Sequence, residues 1–177
     1  MDIELLSKKY VVRRLDLNDV DAVYCMSCKN EIFYKYHPPF VTKQSIVEDM
    51  EALPPHKSYD DKYYIGFFED NTLVANMDLI LGYPTEEIAF IGLLMTNVLY
   101  QNKGVGSSIA RDVCAYLKLL GYKNVAKKLV TAAFLPYFSV ANSFRLLLLT
   151  RLIWRSKSPL LISSARTYCI KVGTVQE

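Results

Sequence analysis

The sequence predicts an α/β (α+β) fold, a mixed but mostly antiparallel sheet with helices on both faces, and three observations carry that expectation. The stretch "YYIGFFEDNTLVANMDLIL" reads as two strands around a tight turn at Asp70–Asn71, the common signature of an antiparallel hairpin. Two helical patterns stand ahead of it, each closed by a pair of prolines. Behind a further apolar strand, Val105, Ile109, Val113, Leu117 and Leu120 recur at three- and four-residue steps until Gly121 stops them. A helix of that length is the crossover that parallel strands require, so parallel and antiparallel neighbours must coexist.

In chain order, Tyr10 to Leu15 alternates as a first strand. A helix opens at Asn18, with Asp21 three places on as a box-like cap, and ends before Pro38–Pro39. "FVTKQSIVEDMEAL" is a second helix, capped by Thr42, with Ile46, Met50 and Leu53 on one face and Pro54–Pro55 closing it. The hairpin follows, then the apolar strand in "EIAFIGLLMT", then the helix over 104–120. At 177 residues and 51% hydrophobic, one domain over 1–177 has enough material for a core.

Between that last strand and helix lies "YQNKGVGSSI", Tyr100 to Ile109. A triphosphate-wrapping loop needs four residues between its glycines and then Lys-Ser or Lys-Thr, whereas one residue separates Gly104 from Gly106 and Lys103 comes first. A dinucleotide fingerprint needs a third glycine where Ile109 stands. What remains is the physics those motifs share: unpartnered amides at a helix N-terminus, at the positive end of its dipole, attract anions. Gly104 and Gly106 let backbone and anion approach closely, and a side chain on Gly106 would stand in the anion's place. A plain glycine turn capping a surface helix is the alternative reading.

"EIAFIGLLMTNVLYQNKGVG" resembles the fourth strand and acetyl-CoA loop of the GCN5-related N-acetyltransferase (GNAT) family, with Gln101, Gly104 and Gly106 in the three defining places of its loop. Val98 departs from it, standing where many members carry proline. The resemblance spans about residues 10–125 and implies transfer of an acetyl group from acetyl-CoA to an amine of a small molecule or protein. It implies that amides of Asn102, Lys103, Gly104, Val105, Gly106 and Ser107 hold the pyrophosphate, helped by the Lys103 charge, and that backbone groups of Leu94, Met95 and Thr96 line the pantetheine arm. The candidate bases are Asp78, Glu86 and Glu87, each of which also reads as an ordinary solvated carboxylate. Tyr100 and Tyr137 are candidate acids toward the leaving thiolate. "FYKYHPPF" falls where the family builds a substrate wall, making Tyr34, Tyr36 and His37 pocket candidates or, equally, loop aromatics packed on the core. A non-catalytic CoA-binding module is the alternative to an enzyme.

The net charge of +3 hides a division. Residues 1–122 hold 12 basic and 17 acidic residues, a balance of −5, and the remaining 9 basic and 1 acidic residues give +8. The basic residues after Lys123 are scattered among Leu, Ser and Ala, so a nucleic-acid partner is not expected. Leu129 to Phe134 reads as a fifth strand and Asn142 as a helix start, but the tyrosine the family often places there falls on Leu149 and its closing Gly-Phe is absent. Divergence and translation from a shifted frame both account for that tail, and the second would leave the sheet without its last strands. Asn142, Arg145 and Arg151 interrupt the apolar run around Leu146–Leu149, which rules against a membrane span. Cys25 and Cys28 lack the two further ligands a zinc site needs, so no metal is expected and the four cysteines read as reduced. Met1 leads straight into a charged segment without a signal pattern, which points to the cytoplasm, with a homodimer as an allowed assembly.

Overall fold

The computed structural model describes residues 1–130, 146–147 and 165–171. Strand β1 (Val11–Arg14) leads through a short 3-10 turn, Leu17–Asp19, into α1 (Val20–Ser27), α2 (Glu31–Tyr36) and α3 (Lys43–Glu51). The strands β2 (Lys62–Glu69), β3 (Thr72–Leu81) and β4 (Ile88–Thr96) follow, then α4 (Val105–Leu119) and β5 (Asn124–Val130). Two more strands, β6 (Leu146–Leu147) and β7 (Ala165–Lys171), complete a sheet of order β1-β2-β3-β4-β5-β7-β6. All neighbours are antiparallel except β4 and β5, which α4 connects in parallel. The sheet therefore does carry strands beyond β5.

The first helical pattern differs from expectation in two ways. Its cap stands earlier: Asp16 accepts from the Asn18 amide at 2.8 Å, Asp19 accepts from the Asp16 amide at 3.1 Å, and Arg13 clamps Asp19 at 2.7 Å. With Asp19 already serving Asp16, neither Asn18 nor Asp21 is needed as a cap. The helix also breaks between α1 and α2, where the buried Asn30 donates to the Met26 carbonyl at 3.2 Å. That side chain takes over an α1 C-terminal acceptor and turns the chain.

Thr42 caps α3 as expected, in a reciprocal box with Ser45. Leu53 lies past the helix, which stops at Glu51, because a residue ahead of proline is driven out of the helical region. The hairpin turns on Asp70 and Asn71, both with positive φ (46° and 65°). The fifth strand begins at Asn124 rather than Leu129: the Lys123 and Asn124 amides donate to the Glu87 carbonyl, at 3.0 and 3.4 Å, and dock the chain beside the start of β4 at once. Residues 131–134 of the expected strand, and Asn142, Arg145 and Leu149, lie outside the described residues.

Each sheet face buries its own core. Ile65, Phe67, Met77 and Leu79 pack with Ile109, Val113 and Leu117 of α4 on one side. Leu15, Val23, Ile46, Tyr64, Leu73 and Met95 pack with α1 and α3 on the other.

Candidate functional site

The parallel pairing of β4 with β5 is confined to Ile88–Ile91 against Asn124–Lys127. From Gly92 to Thr96, β4 pairs, among the described residues, with β3 alone, and its edge toward β5 carries no described strand. The split begins at an irregularity in the β3–β4 ladder, where Asp78 faces Leu93 and Leu79 faces Ile91, so that Gly92 is the extra residue of a bulge. Leu94 and Met95 turn their side chains into the two cores, and what they offer the split is backbone.

At the C-terminal end of β4 the chain makes a 3-10 turn, Val98–Tyr100, capped by the Asn97 side chain. It then reaches α4 through two left-handed residues, Asn102 (φ 59°) and Gly104 (φ 75°). The Ser108 amide makes the first helical bond to the Gly104 carbonyl at 2.9 Å. The amides of Val105, Gly106 and Ser107 therefore precede the ladder and have no intrahelical carbonyl to bind. Among the described residues, no atom lies within 4 Å of where a Cβ on Gly104 would stand. A Cβ on Gly106 would lie 3.0 Å from Thr96 Oγ1, so its bareness lets α4 close on the end of β4. Exposed Lys103 holds its ammonium 5.9 Å from the Tyr100 ring. The Gln101 side chain turns inward, donating to the Thr96 carbonyl at 2.9 Å and to Asn30 Oδ1, so it braces the loop against β4 and α2.

Beside the bulge, on the α1–α3 face, sits a buried polar cluster. Period-two alternation brings Lys62 and Tyr64 of β2 to the same face as Asn76 and Asp78 of β3. Lys62, 3% exposed, places Nζ 2.9 Å from Asp78 Oδ1 and donates to the Ala52 carbonyl at 2.9 Å. Asn76 donates to the Tyr64 hydroxyl at 3.0 Å, while its own Oδ1 has no hydrogen-bond partner among the described residues. A Cβ on Gly92 would fall 2.9 Å from Asp78 Oδ2, so the second carboxylate oxygen stands directly over the bulge. Burial pushes the Asp78 carboxyl above the usual range, and the Lys62 ammonium pulls against that shift. Burial likewise drives the Tyr64 phenol up, with the Asp49 carboxylate adding to it.

No protein-family model matches this sequence, and no curated protein matches it. Solved structures do. An acetyltransferase from Thermus thermophilus is similar at a TM-score of 0.69 and 17% identity, over 91% of this chain and 96% of that one. A GNAT-family acetyltransferase from Staphylococcus aureus is similar at 0.58 and 12% identity, over 92% and 98%. The PaiA N-acetyltransferase of Thermoplasma acidophilum, solved in complex with coenzyme A, is similar at 0.57 and 15%, over 90% and 97%. The fold is that of the GNAT acetyltransferases.

Within this GNAT fold the other sequence-derived candidates fall apart from one another. Glu86, 91% exposed, reaches Lys57 at 3.6 Å, and Glu87 pairs with Lys123, so both are surface carboxylates ahead of β4. The Tyr100 phenol is raised first by desolvation and then by the negative charge of Glu69 at the far end of β2. Tyr34 is half-buried in the α1–α3 core, edge-on to Phe33 at 5.0 Å, and His37 stacks on the same ring at 4.7 Å. Tyr36 points outward, 42% exposed. Tyr137 lies outside the described residues. Among the described residues no group of acidic, His or Cys side chains is placed to hold a metal, no disulfide joins Cys25, Cys28 and Cys114, and no helix is long and apolar enough to cross a membrane.

Sequence reasoning missed Lys62, Tyr64, Asn76, Gly92 and Asn30. The first three carried a readable signal, since polar Lys62 and Asn76 stand in register with Tyr64 and Asp78 inside strands otherwise apolar on both faces. Gly92 and Asn30 carried none, because a bulge and a buried turn depend on partners distant in the chain.

Proposed function

We propose that this chain is an N-acetyltransferase that moves an acetyl group from acetyl-CoA to an amine of a small molecule or a protein. The observation that carries the reading is the position of the Asp78 carboxylate over the Gly92 bulge, at the point where β4 leaves β5. The residues around it fit the donor. Amides of Val105, Gly106 and Ser107 and the open space beside Gly104 suit a pyrophosphate, with Lys103 adding charge and Asn102 shaping the loop. The β5-side edge of Gly92–Thr96 suits the amides of a pantetheine arm, which binds as an added strand would.

In this reading Asp78 accepts a proton from the ammonium of the acceptor, within a buried setting that strengthens every charge interaction. The loop and the β4 edge contribute by holding the two reactants in line. The acceptor comes from the α1–α3 face, where Arg14, Leu15, Met50, Tyr59, Lys62 and Tyr64 line a depression.

Calorimetric titration with coenzyme A, followed by thiol release from acetyl-CoA across a panel of amines, tests this. Binding together with amine-dependent thiol release is the expected result. Binding without transfer would leave a non-catalytic CoA module, and an absence of binding would remove the reading altogether.

A further inference from the structure

A buried carboxylate can serve as a proton acceptor only if one of its oxygens is free and aimed at the reacting atoms. In this chain one side chain decides which oxygen that is. Lys62 Nζ lies 2.9 Å from Asp78 Oδ1 and is itself held by the Ala52 carbonyl, 2.9 Å away, at the C-terminal end of α3. The ammonium is thus fixed from two sides, by a strand carboxylate and by a helix-end carbonyl carrying the negative end of the dipole. Oδ1 is buried against that ammonium as an ion pair without hydrogen-bond geometry, and Oδ2 is the oxygen presented to Gly92.

We propose that Lys62 is a positioning residue: by binding Oδ1 it fixes the Asp78 carboxylate in the rotamer that aims Oδ2 at the bulge of β4, where the acceptor nitrogen loses its proton. The inference rests on the acetyltransferase reading of the same site. One proton passes from the acceptor ammonium to Oδ2, and the freed lone pair forms the N–C bond to the thioester carbonyl carbon. The C–S bond breaks, its electron pair leaves with sulfur, the second nitrogen proton ends on the thiol, and Asp78 returns the first to solvent. No oxidant or further reactant is needed.

The neighbours leave Lys62 as the dominant charge on Asp78. From β2, Tyr64 is neutral across the working range, its phenol driven up by burial. From the helices, Asp49 of α3 and Tyr34 of α2 act on Tyr64. Arg14 of β1 donates to the Lys62 carbonyl at 2.8 Å and stacks on the opposite-face Tyr63 ring. Burial raises the Asp78 carboxyl and Lys62 is the group that lowers it, so removing Lys62 moves its titration to higher pH.

The experiment compares the whole parent chain with Lys62→Met and Lys62→Arg, reading two quantities. The first is the titration of the Asp78 carboxyl carbon by NMR, assigned with Asp78→Asn, which needs no activity. The second is the pH profile of acetyl transfer at saturating acetyl-CoA. In Lys62→Met the titration should move up in pH, the acid limb of the profile should follow it, and transfer at neutral pH should fall tenfold or more. Lys62→Arg should recover at least half of that loss, and it keeps the comparison available if Lys62→Met does not fold. An unmoved titration overturns the proposal, as does a moved titration with an unmoved acid limb. Absence of transfer in the parent, with the titration shift intact, instead identifies the acetyltransferase reading as the part that failed.

Discussion

Against α4 the described part of the sheet buries no charged or amide side chain, with Ile65, Phe67, Met77, Leu79, Ile109, Val113 and Leu117 sealed from solvent. Against α1 and α3 it buries Lys62 and Asn76 as well, and the other buried polar residues among those described, Ser27 and Asn30, lie on that same side. One sheet, one strand order and the same alternating residues thus produce two unlike interiors. Burying a polar group costs free energy unless it is partnered, and even a partnered ion pair contributes less than a well-packed apolar replacement. A face that accepts those costs while its opposite avoids them is shaped by something other than stability, and the split between β4 and β5 opens beside it.

The largest effect should come from the apolar face. Phe67 is fully buried on β2, and truncation there loses both transfer free energy and packing. Phe67→Ala should cost about 3–5 kcal/mol of stability. Urea unfolding that shows a loss under about 1 kcal/mol would mean that this face is not the one holding the fold together.

On the polar face the ranking of stability and function should reverse. Asp78→Asn keeps the shape and an acceptor for Lys62 but removes the proposed base, and should slow the proposed acetyl transfer by about a hundredfold or more. Its stability effect should depend on pH in a definite direction. Burial raises the Asp78 carboxyl above its unfolded value, so that contribution is present below the ordinary carboxylate range and is lost as pH rises through the raised value. Asp19 runs the other way: its hydrogen bond to Arg13 lowers it, so its contribution holds above the ordinary range and is lost on acidification. Urea midpoints from pH 4 upward should therefore decline more steeply in the parent than in Asp78→Asn. Parallel curves would show Asp78 to be no more perturbed folded than unfolded.

This contrast also marks what was legible in the sequence. The hairpin at Asp70–Asn71, the Thr42 cap and the amphipathic run of α4 are local patterns with local causes, and each stands where the residues put it. The α4 face was legible for the same reason, being a simple repeat of apolar positions. The polar face was not, because its meaning lies in pairings: Lys62 matters through Asp78, and Gly92 through a bulge that exists only once β3 and β4 are in register. Asp78 could be named as one carboxylate among three. Its distinction from Glu86 and Glu87 is burial, which the sequence around it does not state.

A smaller effect should come from the Tyr64–Asn76 bond. Tyr64→Phe strands the buried Asn76 amide and should cost about 1–3 kcal/mol. Replacing both partners, as in Tyr64→Phe with Asn76→Leu, should recover most of that loss, since neither polar group is then left unpaired. A double-mutant cycle with no coupling would mean that this bond does not hold the polar face, and the comparison between faces would then rest on Lys62 and Asp78 alone.

The smallest effect should come from the loop that ends both faces. Gly104 adopts φ 75° with no atom of the described residues within 4 Å of the place of a Cβ, so a side chain there meets strain but no clash among them. Gly104→Ala should cost about 1 kcal/mol, the usual penalty for a left-handed L-residue. Asn visits that region more readily than Ala because its short polar side chain bonds locally. Gly104→Asn should therefore be the milder change in stability although it is the larger side chain. For coenzyme A affinity the order should invert, because the open space beside Gly104 is where the proposed pyrophosphate site needs room and the longer Asn reaches further into it. Thermal unfolding and calorimetric titration of the two variants separate the terms. If Ala and Asn rank the same way in both measurements, size or strain alone governs the position, and the loop holds no anion at that glycine.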